Sequence, residues 1–116
     1  MGAKSTTVRL GELAYARSGD KGAGANVGVI ARTPAAFEQL RRHLTAEAVE
    51  AFFKPMGAVG HVVRYELANL GALNFVLPDV LDGGGSVSLR IDAQGKTLAA
   101  LLLAMEIDVE ADELES

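Results

Sequence analysis

Arg17-Ser18-Gly19-Asp20-Lys21-Gly22 gathers two cations, a hydroxyl and a carboxylate between glycines. Glycine lets backbone amides converge and approach an anion closely. Arg17 and Lys21 are suited to neutralising a phosphate or carboxylate, and Asp20 to orienting Lys21 or moving a proton. Asp20 and Lys21 are therefore the candidate catalytic pair. Arg17, Ser18, Gly19 and Gly22 are candidate ligand contacts, with Asn26 adding an amide at the end of the stretch. The blander alternative is a glycine-rich connection whose charges are simply solvated. Two familiar glycine motifs do not fit. A Walker loop needs Ser or Thr after its Gly-Lys, whereas Gly22 follows Lys21. Gly22 to Gly28 loosely mimics a dinucleotide fingerprint, but it leads into Val29-Ile30, a strand-like run, where that fingerprint requires a helix.

Other polar residues carry less. Asn69 and Asn74 bracket a turn, which explains them as turn chemistry; they remain the further candidate ligand contacts. His43 sits beside Arg41 and Arg42 on a charged helix face and reads as exposed. His61 reads as a satisfied structural residue. Ser18 has no evident His–Asp partners for nucleophilic catalysis. With no Cys, disulfides, thiolate zinc, iron–sulfur ligation and a Cys nucleophile are excluded. His43 and His61 are the only histidines, so no multi-histidine metal site is expected. With no Trp, four Phe and two Tyr, aromatics are too scarce for recognition of nucleic acid by stacking.

The 116 residues fit one domain spanning 1–116, and 49% of them are apolar, enough for a core built from Ala, Leu and Val. The net charge of −4 is unevenly spread: Glu106 to Ser116 holds six acidic residues and no basic one. That tail reads as solvated, with residues 1–6 and 110–116 flexible, or as an acidic arm for a basic partner. No basic run suits nucleic acid. Leu98 to Met105 is far shorter than the ~20 residues needed to span a bilayer, and Met1 to Thr6 has no apolar stretch of a signal peptide. A soluble, cytoplasmic protein is expected.

The elements that must position these residues follow from periodicity. Thr7 to Tyr15 reads as a strand, Arg17 to Asn26 as a loop and Val27 to Ala31 as a buried strand. Thr33 caps a helix with Pro34 at its first position, and Phe37, Leu40 and Leu44 take helical spacing. Thr45 starts a second helical set, Val49, Phe52, Phe53 and Met56, forming one bent helix or two. His61 to Leu67 reads as a half-buried strand, with Val63, Tyr65 and Leu67 on one side. Leu73, Phe75 and Leu77 mark another strand, and Ser86 to Ile91 the cleanest one. A helix near Gly95–Met105, capped by Asp92, is apolar nearly all round. Ile107 and Val109 mark a last edge strand. Phe37, Phe52, Phe53 and Phe75 belong to the core. This order gives an α+β fold: a ferredoxin-like split βαβ sandwich, with a mixed sheet, two main helices on one face and an extra N-terminal strand. The apolar last helix suggests a further covered surface, hence a homo-oligomer.

Leu10-Gly-Glu-Leu-Ala-Tyr-Ala-Arg-Ser-Gly-Asp-Lys-Gly22 followed by Asn26-Val-Gly-Val-Ile-Ala-Arg32 strongly resembles the AtuA-like ferredoxin-fold domain. Arg64-Tyr65-Glu66, Asn69-Leu70, Leu73-Asn74-Phe75-Val76-Leu77 and Ser88 to Lys96 continue the likeness, which runs from Val8 to Ile107. That domain forms the C-terminal part of proteins of the acyclic terpene utilisation AtuA family and also occurs as a separate small protein. The resemblance implies a bacterial role in catabolism of terpenes or branched acids through acyl-CoA intermediates, with a coenzyme A thioester as the substrate. It further implies a small subunit that pairs with a separately made large AtuA-like one. Arg17, Asp20, Lys21 and Asn26 match the family pattern. Ala23 stands where that pattern carries a polar residue, so position 23 is not carried over. From a different class comes a non-catalytic domain that oligomerises or scaffolds the large partner. A stand-alone enzyme comes third.

Overall fold

Leu10, Leu13 and Ala14 are all buried, and a straight strand would put Leu13 on the face opposite Leu10 and Ala14. The computed structural model, which describes residues 5–21, 24–56, 61–78 and 98–114, resolves this with a turn. Strand β1 (Ser5–Arg9) ends in a single 3-10 turn at Leu10–Glu12, and β2 (Ala14–Lys21) starts afresh. The expected strand from Thr7 to Tyr15 is thus two strands in two sheets. The Leu10 amide donates to the Met105 carbonyl at 2.8 Å and the Leu13 amide to Leu10 at 2.9 Å, which fixes the corner.

The stretch Arg17 to Asn26, expected as a loop, is mostly strand. β2 pairs antiparallel with β3 (Gly24–Ala31) in a ladder from Ala14↔Ala31 to Lys21↔Gly24. Ala25, Val27 and Val29 of β3 are buried on one face, while the alternate positions Asn26, Gly28 and Ile30 lie on the other. A strand with only one buried face needs apolar residues at every second position, so glycine and polar residues between them do not prevent pairing. Gly24 is required by proximity: a Cβ there would lie 2.6 Å from the Pro78 carbonyl oxygen.

Two helices follow, α1 (Pro34–His43) and α2 (Ala46–Phe53). Each has its own threonine cap: Thr33 Oγ1 accepts from the Ala36 amide and Thr45 Oγ1 from the Ala48 amide, both at 3.0 Å. Two caps settle the question of one bent helix or two. The chain then forms β4 (Val63–Leu67), a 3-10 turn at Ala68–Leu70 and β5 (Ala72–Leu77). Gly71 closes that turn at φ 61°, a left-handed conformation that only glycine adopts without strain. The larger sheet runs β2-β3-β5-β4. All its described ladders are antiparallel. No parallel pair occurs among the described residues, and the strand expected at Ser86 to Ile91 is not among them. β3 and β4, joined through α1 and α2, are not paired, because β5 lies between them.

The last elements are α3 (Leu98–Leu103), β6 (Glu106–Glu110) and α4 (Ala111–Leu114). β6 pairs with β1 in a separate two-stranded ribbon, from Val8↔Ile107 to Ser5↔Glu110. The core lies between the larger sheet and the helices. Val27, Val29, Leu73, Phe75 and Leu77 meet Leu40, Leu44, Val49, Phe53 and Leu102 there. Phe53 and Phe75 are fully buried, whereas Phe37 and Phe52 pack against the core only in part. On α3, Leu98, Ala99 and Leu102 are buried in the chain's own core, while Leu101 and Leu103 are only partly buried. The expected strand Ser86 to Ile91, and the expected helix cap Asp92, lie outside the described residues.

The acidic C-terminal segment has a basic partner within the chain. Arg41, Arg42 and His43 occupy the last turn of α1, where cations also complement the helix dipole. Arg42 pairs with Glu110 at 3.2 Å and Glu113 at 2.9 Å, and His43 Nε2 lies 3.0 Å from Glu110. Arg41 is hydrogen-bonded to Glu38. The hydrogen bond with His43, opposed by partial burial and aided by the charges of His43 and Arg42, holds the Glu110 carboxyl below its ordinary range. Glu38 is lowered in the same way, chiefly by Arg41. A carboxyl whose folded-state pKa is depressed stabilises the fold fully above its unfolded value, about 4.3, and loses that contribution as pH falls through the folded value. A Glu110→Gln chain is therefore expected to melt below the native one at pH 7, with the difference shrinking as pH falls below about 4. Melting curves at pH 7 and at a series of pH values below 4 check it.

Candidate functional site

One face of the four-stranded sheet carries the helices; the register defines what lies on the other. Its central row reads Arg17, Gly28, Asn74, Tyr65 across β2, β3, β5 and β4. The row on one side is Gly19, Asn26, Val76, Val63, and on the other Tyr15, Ile30, Ala72, Leu67. Alternation explains the arrangement, since each of these positions neighbours a buried or helix-facing one. Val63, Tyr65 and Leu67 share one side of the strand expected to be half-buried, and that side is not the buried one. They are 37%, 54% and 42% exposed, and Tyr15 is 55% exposed. The inward positions of β4 are polar: Arg64 Nη1 donates to the carbonyls of Arg41 (3.0 Å) and Leu44 (2.9 Å), satisfying the end of α1.

At the centre of this face, Asn26 Nδ2 donates to Asn74 Oδ1 at 3.0 Å. The two amides are partly buried and come from strands paired side by side. Glycines keep the surface over them low. A Cβ at Gly19 would come within 3.3 Å of Asn26 Oδ1, and one at Gly28 within 3.9 Å of Asn74 Oδ1. The Asn74 amide donors and the Asn26 carbonyl oxygen have no hydrogen-bond partner among the described residues, and Arg17 has no ion pair among them. Tyr15 forms one rim, with the Arg32 guanidinium 4.0 Å from its ring centroid, a cation–π contact. Arg32 is fixed in turn by donating through Nε and Nη2 to the Gly11 carbonyl, at 3.2 and 3.1 Å.

The structure thus brings together Arg17, Gly19, Asn26 and Asn74. Ser18 lies opposite Val27, on the helix-bearing face. Asp20 and Lys21 end β2, opposite Ala25 and Gly24. Gly22 lies outside the described residues. Asn69 sits apart, in the turn after β4, where it lines a hollow of about 360 Å³ with Arg32, Phe37 and Gly71. Sequence reasoning missed Gly28, Tyr15 and Tyr65. The signal for Gly28 was its place between the buried Val27 and Val29, which puts it beside Asn26 and on the open face. His61 is largely exposed, 3.7 Å from Glu50. Among the described residues no three His, Asp or Glu side chains cluster to hold a metal ion, and no helix is long and apolar enough to cross a membrane.

Chemically, two part-buried amides and a guanidinium on an open floor suit an oxygen-rich group such as a carboxylate, phosphate or thioester carbonyl. The flanking tyrosines, Val63 and Leu67 suit an apolar chain. In comparison with known proteins, the sequence profile of the AtuA ferredoxin-like domain fits residues 8–108. No curated protein and no solved structure matches the chain.

Proposed function

We propose that this chain, which belongs to the AtuA ferredoxin-like domain family, is the small subunit of an acyl-CoA-processing complex in terpene or branched-acid catabolism. The open sheet face is then its ligand surface. The observation that supports this most is the Asn26–Asn74 amide pair at the centre of that face, uncovered by Gly19 and Gly28, with Asn74 in the row of Arg17 and Asn26 in the row beside it. In this reading Arg17 and Lys21 hold a carboxylate or phosphate, and the amides take the acyl oxygen. The apolar residues of β4 lie along the acyl chain, and Asp20 orients Lys21 or moves a proton.

The test is calorimetric titration of the chain, alone and with its large partner, with a branched acyl-CoA. Arg17→Ala removes one charge-assisted contact and is expected to weaken binding about tenfold to a hundredfold. Asn74→Leu should weaken it similarly. Absence of binding in both settings, or binding by both variants as tight as that of the native chain, would sink the reading. A second reading is favoured by the exposure of Tyr15, Val63, Tyr65 and Leu67 on one face, which also suits docking of the large partner without catalysis. Lost co-purification of the Arg17→Ala chain with that partner, with unchanged acyl-CoA binding, selects the second reading.

A further inference from the structure

β4 is an edge strand: it pairs with β5 on one side and with no other described strand on the other. Edge strands expose a row of unpaired backbone donors and acceptors that templates further pairing. The sequence of this edge, Val63-Arg64-Tyr65-Glu66-Leu67, is charge-complementary to itself when reversed. We propose that the β4 edge pairs antiparallel with β4 of a second copy of this chain, about a two-fold axis through Tyr65, joining two four-stranded sheets into one. It does not depend on what the open face binds.

The register follows from the residues. A two-fold axis perpendicular to the sheet pairs only positions that share a face, so the permitted registers differ in steps of one residue in their centre. Centred on Tyr65, all five residues pair: Arg64 lies opposite Glu66 of the second copy, Glu66 opposite its Arg64, and Val63 opposite its Leu67. Centred on Arg64, the two arginines oppose one another; centred on Glu66, the two glutamates do. Opposite charges directly across a strand pair stabilise it and like charges destabilise it, so the sequence favours one register and penalises its neighbours. The geometry of the single chain prepares the pairing. Contacts with α1 hold Arg64 Nη1, its Nη2 stands only 3.8 Å from Glu66, and the Glu66 side chain is 42% exposed. Val63, Tyr65 and Leu67 present an exposed apolar row that the second copy continues. An isologous contact of this kind closes after two copies and does not propagate into a fibre. Because the partners meet edge to edge, the open faces lie on the same side of the joined sheet. The second copy brings its own Tyr65 beside the row of Arg17, Gly28 and Asn74.

Light scattering and sedimentation on the full chain test this. The native chain is expected to be a dimer. Glu66→Arg sets four cations at the edge and is expected to raise the dissociation constant at least tenfold, as is Arg64→Glu, which sets four carboxylates there. Mixing the two variants restores both attractive pairs, so the expected product is a heterodimer, a rescue that a merely unfolded variant cannot give. Arg64→Glu also gives up contacts with α1, so Tyr65→Cys serves as an independent variant. Its sulfurs face each other across the axis and are expected to form a disulfide-linked dimer on mild oxidation, whereas Thr7→Cys on the other ribbon is not. A monomeric native chain, a Glu66→Arg chain as dimeric as the native one, or equal cross-linking at positions 7 and 65 would overturn the proposal.

Discussion

A Phe75→Ala chain is expected to lose about 3–5 kcal/mol of folding stability, a large share of the 5–15 kcal/mol typical of a small domain. Phe75 is fully buried at the centre of β5, opposite Val27 on β3 and Arg64 on β4. Its ring is one of only two fully buried phenylalanines among the described residues, and the surrounding core is built from smaller Leu and Val side chains. Those side chains come from strands whose positions are fixed by ladders on both sides of β5, so the cavity collapses only in part. The effect should also reach the open face. Phe75 is flanked in sequence by Asn74 and Val76, whose side chains lie on that face, so a loosened β5 loosens the floor of the candidate site. Denaturant unfolding measures the stability. The melting temperature should fall by roughly 10 °C or more. A loss under 1 kcal/mol would mean that the core repacks around the gap.

Gln39→Leu is expected to cost about 1–3 kcal/mol although it puts an apolar side chain in a buried place. Gln39 is the one buried polar residue among those described, at 0% exposure. Its Oε1 accepts from the Glu110 amide at 2.8 Å and its Nε2 donates to Glu113 Oε1 at 3.0 Å, so a single side chain fastens the end of β6 and α4 to α1. Leucine matches the volume but leaves the Glu110 amide without its acceptor. Desolvating that amide without a partner outweighs the gain from burying a few methyl groups. Hydrogen exchange at Glu110 checks it: the amide should be protected in the native chain and exchange much faster in the variant. Gln39→Glu is a useful contrast. It keeps the acceptor for Glu110 but sets a carboxylate against Glu113, so it should destabilise more at neutral pH than in acid.

Much of the fold could be read from residue order, and the reasons differ by element. Thr33-Pro34 and Thr45 announced helix starts because capping is a local interaction. Leu73, Phe75 and Leu77 announced a strand because one of its faces meets the core. Periodicity failed where it had to choose between faces. Val63, Tyr65 and Leu67 share a side, as their spacing said, but spacing does not say which side is covered, and here the helix-facing side is polar because Arg64 serves the end of α1. The stretch from Arg17 to Asn26 looked like a loop because its composition is that of a turn; the strand pairing comes from β3, whose buried alternate positions fix the register. Arg17, Gly19, Asn26 and Asn74 were singled out separately, for loop and turn chemistry. Their meeting on one face depends on β5 lying next to β3, which no local signal encodes. The Gln39 bridge left no trace in the sequence, since its partners are 71 and 74 residues away.

The ribbon of β1 and β6 has a consequence for the order in which the molecule assembles. The hairpins β2–β3 and β4–β5 join neighbours in sequence and are quick to close, whereas Thr7 and Asp108, hydrogen-bonded across the ribbon at 2.6 Å, are 101 residues apart. Contacts of such separation form late, because they must overcome the entropy of closing nearly the whole chain. During synthesis β1 is made first and then waits without a partner until Glu110 has left the ribosome. Throughout that interval its five residues form an unpaired strand, and four of them, Ser5, Thr6, Thr7 and Arg9, are polar. A polar waiting strand is poor material for aggregation while the rest of the domain folds.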